Sequence, residues 1–119
     1  MHPLELEDLV RKIMGYHVGI NKVEPRLKRA VELMNVLKKQ FVPKLSARNP
    51  HELMRAVEVQ DIIDLSELHA HTALLRTETR MPPYHYRVDF PNQDDLHWGK
   101  NLVVQHVAGE LKHTLERLD

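Results

Sequence analysis

The sequence contains no cysteine. Disulfides, thiol nucleophiles, thiolate zinc sites and iron–sulfur ligation by this chain are therefore excluded. Glycine is scarce, with four residues at positions 15, 19, 99 and 109. That spacing allows neither a GxGxxG turn nor a P-loop, so no nucleotide is cradled in the usual way. GxSxG and HExxH are also missing, which removes two common hydrolytic arrangements. Net charge is absent, with 17 Lys and Arg against 17 Asp and Glu. A chain so balanced lacks the basic face that DNA or an anionic membrane requires. No apolar run approaches the ~20 residues of a bilayer span. The opening MHPLELEDLV is acidic and carries no signal-peptide pattern. The expected location is cytoplasmic.

What remains is an ordinary soluble composition of 119 residues, 42% apolar and 29% charged, enough for one domain. Leu6, Leu9, Val10, Ile13 and Met14 recur at helical spacing and predict a helix over residues 4–17. Residues 20–25 form a joint, and Pro25 suits the first turn of a second helix over 25–42. Its stripe is Leu27, Ala30, Val31, Met34, Leu37 and Phe41, and Pro43 marks its end. Asn49 is the expected N-cap of a third helix, with Pro50 behind it and Glu52 as a capping-box partner. Neither Gly nor Pro interrupts residues 51–80, so this helix is expected over 50–80, about 45 Å long.

The third helix carries two apolar stripes. Met54, Val57, Ile62, Leu65, Leu68, Thr72 and Leu75 make one; Val59, Ile63, Ala70, Ala73 and Leu74 make much of another. Such a helix is either central or covered by a partner. In a three-helix domain the expectation is that its two neighbours cover both stripes. Pro82 and Pro83 stop it, and residues 84–91 read as an extended segment. Tyr84, Tyr86, Val88 and Phe90 alternate there with His85, Arg87 and Asp89. Asp94 to Trp98 suits a short helical turn. Residues 100–118 favour a β-hairpin turning at Ala108-Gly109-Glu110, with a helix over 110–118 as the rival. The fold class is thus mainly α: a three-helix bundle, an extended segment and a C-terminal hairpin.

Polar chemistry concentrates between residues 76 and 98. Arg76 and Arg80, four apart, share a face near the end of a helix that runs to residue 80. Two cations there ask for an anion. On a helix Glu78 faces elsewhere, so Asp89, Asp94 or Asp95 is the expected partner after the chain folds back. The pair either locks the domain internally or meets a carboxylate or phosphate on another domain or ligand. Nine histidines invite a metal reading, but His69 and His71 point about 200° apart on a helix. His85, Asp89, Asp94 and His97 are the residues a small metal-dependent enzyme would use. No catalytic, cofactor-binding or metal role is assigned to any residue.

The stretch RTETRMPPYHYRVDFPNQDDLHWGK resembles the C-terminal signature of the fumarate reductase and succinate dehydrogenase flavoprotein superfamily. That signature, R-x-E-S-R-G-x-H-x-R-x-D-[FY]-P followed by D-D and W-x-K, falls on Arg76, Glu78, Arg80, His85, Arg87, Asp89, Phe90, Pro91, Asp94, Asp95, Trp98 and Lys100. Met81 replaces its glycine, and the gap from Arg80 to Arg87 is two residues longer than in the succinate and fumarate enzymes. The longer gap and HELMRAVEV at 51–59 are more similar to the alpha subunit of adenylylsulfate reductase. The similarity spans approximately residues 5–105.

The resemblance implies a helical C-terminal domain that packs on an FAD-binding domain and helps form the contact surface with an iron–sulfur subunit. It implies that FAD belongs to the parent flavoprotein, whose flavin and hydride-transfer residues lie upstream. If that body normally covers one side of the third helix, the isolated chain exposes an apolar patch and forms a homodimer. A stand-alone binding or regulatory protein that reuses the domain is the alternative.

Overall fold

The computed structural model describes residues 1–118. Its element order is α1 (Pro3–His17), β1 (Asn21–Lys22), α2 (Glu24–Val36), α3 (Pro50–Leu75), β2 (Tyr86–Arg87), α4 (Asp95–Trp98), β3 (Lys100–Val107) and β4 (Glu110–Arg117). It is mainly helical with a C-terminal hairpin, as the periodicity predicts.

Local chemistry sets the helix ends. At α1, Pro3 occupies the first turn and the His2 ring accepts from the Leu4 amide. Beyond α2 the chain continues as a π turn, Leu37–Phe41, and a 3-10 turn, Val42–Lys44. Pro43 has no amide hydrogen to give and crowds the preceding turn, so the α pattern gives way before residue 42. At α3, Asn49 accepts from the Glu52 amide at 2.9 Å. The Glu52 side chain reaches back one residue further than a capping box would, accepting from the Arg48 amide at 2.8 Å.

The core joins the three long helices. Leu6 and Val10 of α1, Met34 and Leu37 from α2 and its π turn, and Val59 and Ile63 of α3 form one buried cluster. The Lys38 ammonium sits 2.8 Å from Asp64 and 2.6 Å from buried Glu67, tying the π turn to α3. Below the bundle, β1 pairs with β2 in parallel, Asn21 opposite Tyr86 and Lys22 opposite Arg87. The joint between α1 and α2 is thereby held to the polar segment that follows α3.

The hairpin projects from this body. Lys100 pairs with Arg117 through to Val107 with Glu110. Ala108 (φ 53°) and Gly109 (φ 81°) both lie in the left-handed region, as a tight two-residue turn demands. The molecule measures 52 × 28 × 21 Å, with a radius of gyration of 16.1 Å. A compact domain of this length would have about 13–14 Å.

Candidate functional site

The third helix stops at Leu75 rather than at residue 80. Arg76 turns extended (ψ 96°), and extended residues alternate faces with period two. Arg76, Glu78 and Arg80 therefore fall on one side. Glu78 is fully buried and accepts from Arg76 Nη1 at 2.6 Å, Arg80 Nε at 2.8 Å, Arg80 Nη2 at 3.0 Å and the Asp94 amide at 2.9 Å. This corrects the expectation from the sequence: the two arginines share no helical face, and the acceptor common to both is Glu78. Arg80 Nη2 also donates to Asp95 Oδ1 at 2.9 Å, so one of the expected aspartates does take part. Burial would raise the Glu78 carboxyl, but the bonds from Arg80, the Asp94 amide and Arg76 outweigh it and hold the group below its ordinary range.

Arg87 is a second junction. It is fully buried, on β2, and its Nη1 donates to the carbonyls of Ala73 and Leu74 at 3.0 Å each. Those carbonyls have no intrahelical partner because α3 ends there. Its Nε and Nη2 form a fork on Asp89, at 2.9 and 2.8 Å. Asp89 Oδ2 in turn accepts from the Glu24 amide, the first residue of α2, at 3.1 Å. A cation thus meets the negative end of α3 and an anion the positive end of α2.

The remaining motif residues close the network. Trp98 donates from Nε1 to Thr77 Oγ1 at 3.1 Å, and Arg76 lies over its ring at 5.3 Å. Asp94 caps α4 by accepting from the His97 amide. His85 Nε2 donates to the Arg76 carbonyl at 3.0 Å, while the His97 ring pairs with Asp94 at 2.9 Å. Arg87 holds Asp89. Of the four residues weighed for a metal, Asp94 and His97 hold each other while His85 and Asp89 are taken by Arg76 and Arg87, and among the described residues no three such side chains gather around a metal position. Thr79, which the sequence reading passed over, is buried and accepts from the Arg87 amide while donating to the Phe90 carbonyl at 2.8 Å.

Around this polar knot the apolar surface faces outward. On the segment after α3, Tyr84, Val88 and Phe90 are exposed while Arg87 is inside. On α3 the stripe of Val59, Ile63, Ala70 and Ala73 is buried. The opposite stripe is open over its first half, with Met54 47%, Val57 54% and Leu65 65% exposed and Leu53 59% exposed beside them, while Ile62 packs on the core and Leu68, Thr72 and Leu75 are half-buried. The expectation that two neighbours would cover both stripes fails, because α1 and α2 both pack on the same side of α3. A Cβ at Gly19 or Gly99 would strike the carbonyl of its own preceding turn, at 2.9 and 2.6 Å, so both serve chain reversals. Among the described residues no helix is long and apolar enough to cross a membrane.

A family model described as fumarate reductase flavoprotein C-term matches residues 7–119. An uncharacterized FAD-dependent oxidoreductase of Methanocaldococcus jannaschii is 29% identical over 100 residues, covering 84% of this chain and 18% of that protein. The fumarate reductase flavoprotein subunit of Helicobacter pylori is 32% identical over 110 residues, covering 89% of this chain and 15% of the subunit. The adenylylsulfate reductase structure from Archaeoglobus fulgidus superposes with a TM-score of 0.95 at 32% identity, over 100% of this chain and 20% of that one. The chain therefore spans less than a fifth of those two relatives. On its sequence and its fold, it belongs to the fumarate reductase flavoprotein C-terminal family.

Proposed function

We propose that this chain is a scaffold and docking domain of an FAD-dependent oxidoreductase, catalytically incomplete alone. The uncovered apolar stripe of α3 carries the reading. Burying a large aliphatic side chain contributes about 1.5–3 kcal/mol, so four half-exposed ones leave several kcal/mol available to a partner. An apolar patch on an otherwise balanced surface marks an interaction site. The extended shape agrees, since a radius of gyration of 16.1 Å exceeds that of a self-contained domain.

The partner we assign to this face is the FAD-binding domain of the same or a neighbouring chain, with an iron–sulfur subunit as a second neighbour. FAD belongs to that body. The chain itself holds no flavin in this reading, its four glycines lacking the spacing of a dinucleotide-binding turn. In this reading Arg76, Glu78, Arg80, Arg87 and Asp89 set the shape of the surface from inside. The cytoplasm is the compartment we assign.

The test uses purified chain. It is expected to be colourless, to take up no FAD, and to self-associate through the open face of α3. Val57→Lys with Leu65→Lys should abolish that association while leaving the melting temperature within a few degrees, since both positions are solvent-exposed. A stoichiometric yellow chromophore, or association that survives the double substitution, overturns the reading.

A further inference from the structure

Lys22 is the second residue of β1, and only 5% of its surface is exposed. Its carbonyl accepts from the Val88 amide at 2.8 Å, and its backbone is in register with Arg87. That pairing fixes the side chain beside the last turns of α3. Among the described residues its ammonium has no carboxylate partner, and burial alone acts on it, lowering its pKa from the usual lysine range. Burying most of a lysine without a counter-charge is costly.

Lys22 lines a groove of about 220 Å³ together with His69, Thr72, Ala73, Arg76, Tyr84 and His85. There is no Asp or Glu in that lining. Arg76 is turned away onto Glu78 and the carbonyls of Trp98 and Lys100. His69 and His85 are each held below the ordinary histidine range, first by burial and then in part by the positive charge of Lys22. Apart from the phenol of Tyr84, the ionisable groups at the groove are therefore basic, and Lys22 is its one cation without an internal acceptor among the described residues.

We propose that this groove binds an oxyanion, with Lys22 supplying the counter-charge and His69 and His85 forming its walls. Lysine acts there as a point charge rather than as a fork, so the groove selects for negative charge on oxygen more than for a planar shape. A carboxylate from a neighbouring polypeptide and a free tetrahedral anion share that chemistry. The site is separate from the open face of α3, and its readout needs no partner protein, so the docking role and the anion site stand or fall independently.

The experiment is an NMR titration of the histidine rings of the whole chain with sodium acetate, sodium phosphate and sodium sulfate, at ionic strength held constant with chloride. Saturable shifts of His69 and His85 are expected, with a rise in their titration midpoints, while His51 and His106 stay unmoved. Lys22→Met should weaken the response about tenfold or more, the effect of losing at least ~1.4 kcal/mol of charge attraction. Lys22→Arg should retain it. Should Lys22→Met not fold, Lys22→Gln, judged by anion-dependent melting, takes its place. Tighter acetate binding identifies a side-chain carboxylate as the natural occupant, and tighter phosphate or sulfate binding a free anion. Absence of saturation with all three, or equal response in the Lys22 variants, overturns the proposal.

Discussion

At the scale of single residues, the charged motif is a set of internal acceptors and donors whose stoichiometry matters. Glu78 serves two guanidinium groups and one backbone amide without any solvent contact. Removing it would leave Arg76 and Arg80 facing each other across a dry space, and the Asp94 amide without an acceptor. Breaking a buried ion pair from one side costs about 3–5 kcal/mol. Glu78→Ala is therefore expected to lower unfolding stability by that amount in urea melts, while Asp95→Ala, which removes an exposed partner of Arg80, should cost less than about 1 kcal/mol. Equal effects of the two substitutions would contradict the arrangement. Met81 is a further single-residue feature. Its φ of 46° is the left-handed region, which explains why a glycine stands at this point of the signature the chain resembles.

At the scale of elements, legibility in the sequence followed the strength of local signals. The starts of α1 and α3 were readable because Pro3, Asn49 and Pro50 act locally. The end of α3 was not, because no Gly or Pro lies before Pro82; the helix ends because Arg87, from β2, supplies donors to its last carbonyls. A signal was nevertheless present. In R-T-E-T-R the charges recur every second residue, the period of an extended chain, and reading residues 76–80 that way would have brought Glu78 between its arginines. Lys22 left no such trace, since a lone lysine in a joint gives no hint that the chain will bury it. The hairpin was legible from its β-branched run and Gly109, but its turn is imperfect. Ala108 occupies a left-handed position that favours Asn. A two-stranded ribbon is marginal by itself, so the turn matters. Ala108→Asn should stabilise the hairpin by about 0.5–1 kcal/mol, read as slower amide exchange across β3 and β4. Unchanged exchange would show that packing rather than the turn governs the ribbon.

At the scale of the whole molecule, the balance of charge makes stability depend on pH in two separate windows. His69, His71 and His85 are all held below the ordinary histidine value, chiefly by burial, with Lys22 adding at His69 and His85 and His113 adding at His71. Their unfolded forms bind protons first, so stability is complete above about pH 6.5 and declines as pH falls below it. The second window belongs to carboxylates. Glu52 is held down to about 2 by side-chain and backbone bonds from Arg48, with burial opposing and the charge of Arg48 and a bond from His2 adding. Asp89 is lowered by the Arg87 fork against the effect of burial, and Glu78 is lowered as well. Groups depressed in the folded state contribute fully above their unfolded values near 4 and lose that contribution as pH falls through their folded ones. Protonating them also leaves the arginines without counter-charge, in a chain that is neutral at pH 7 and so gains self-repulsion with every proton. Melting temperature measured in chloride solutions should therefore decline in a shallow step from about pH 7 to about pH 5 and then fall steeply between about pH 4 and pH 2. A melting temperature that rises on acidification through the first window would mean that the histidines gain acidic partners on folding, which is the opposite of the basic groove around Lys22.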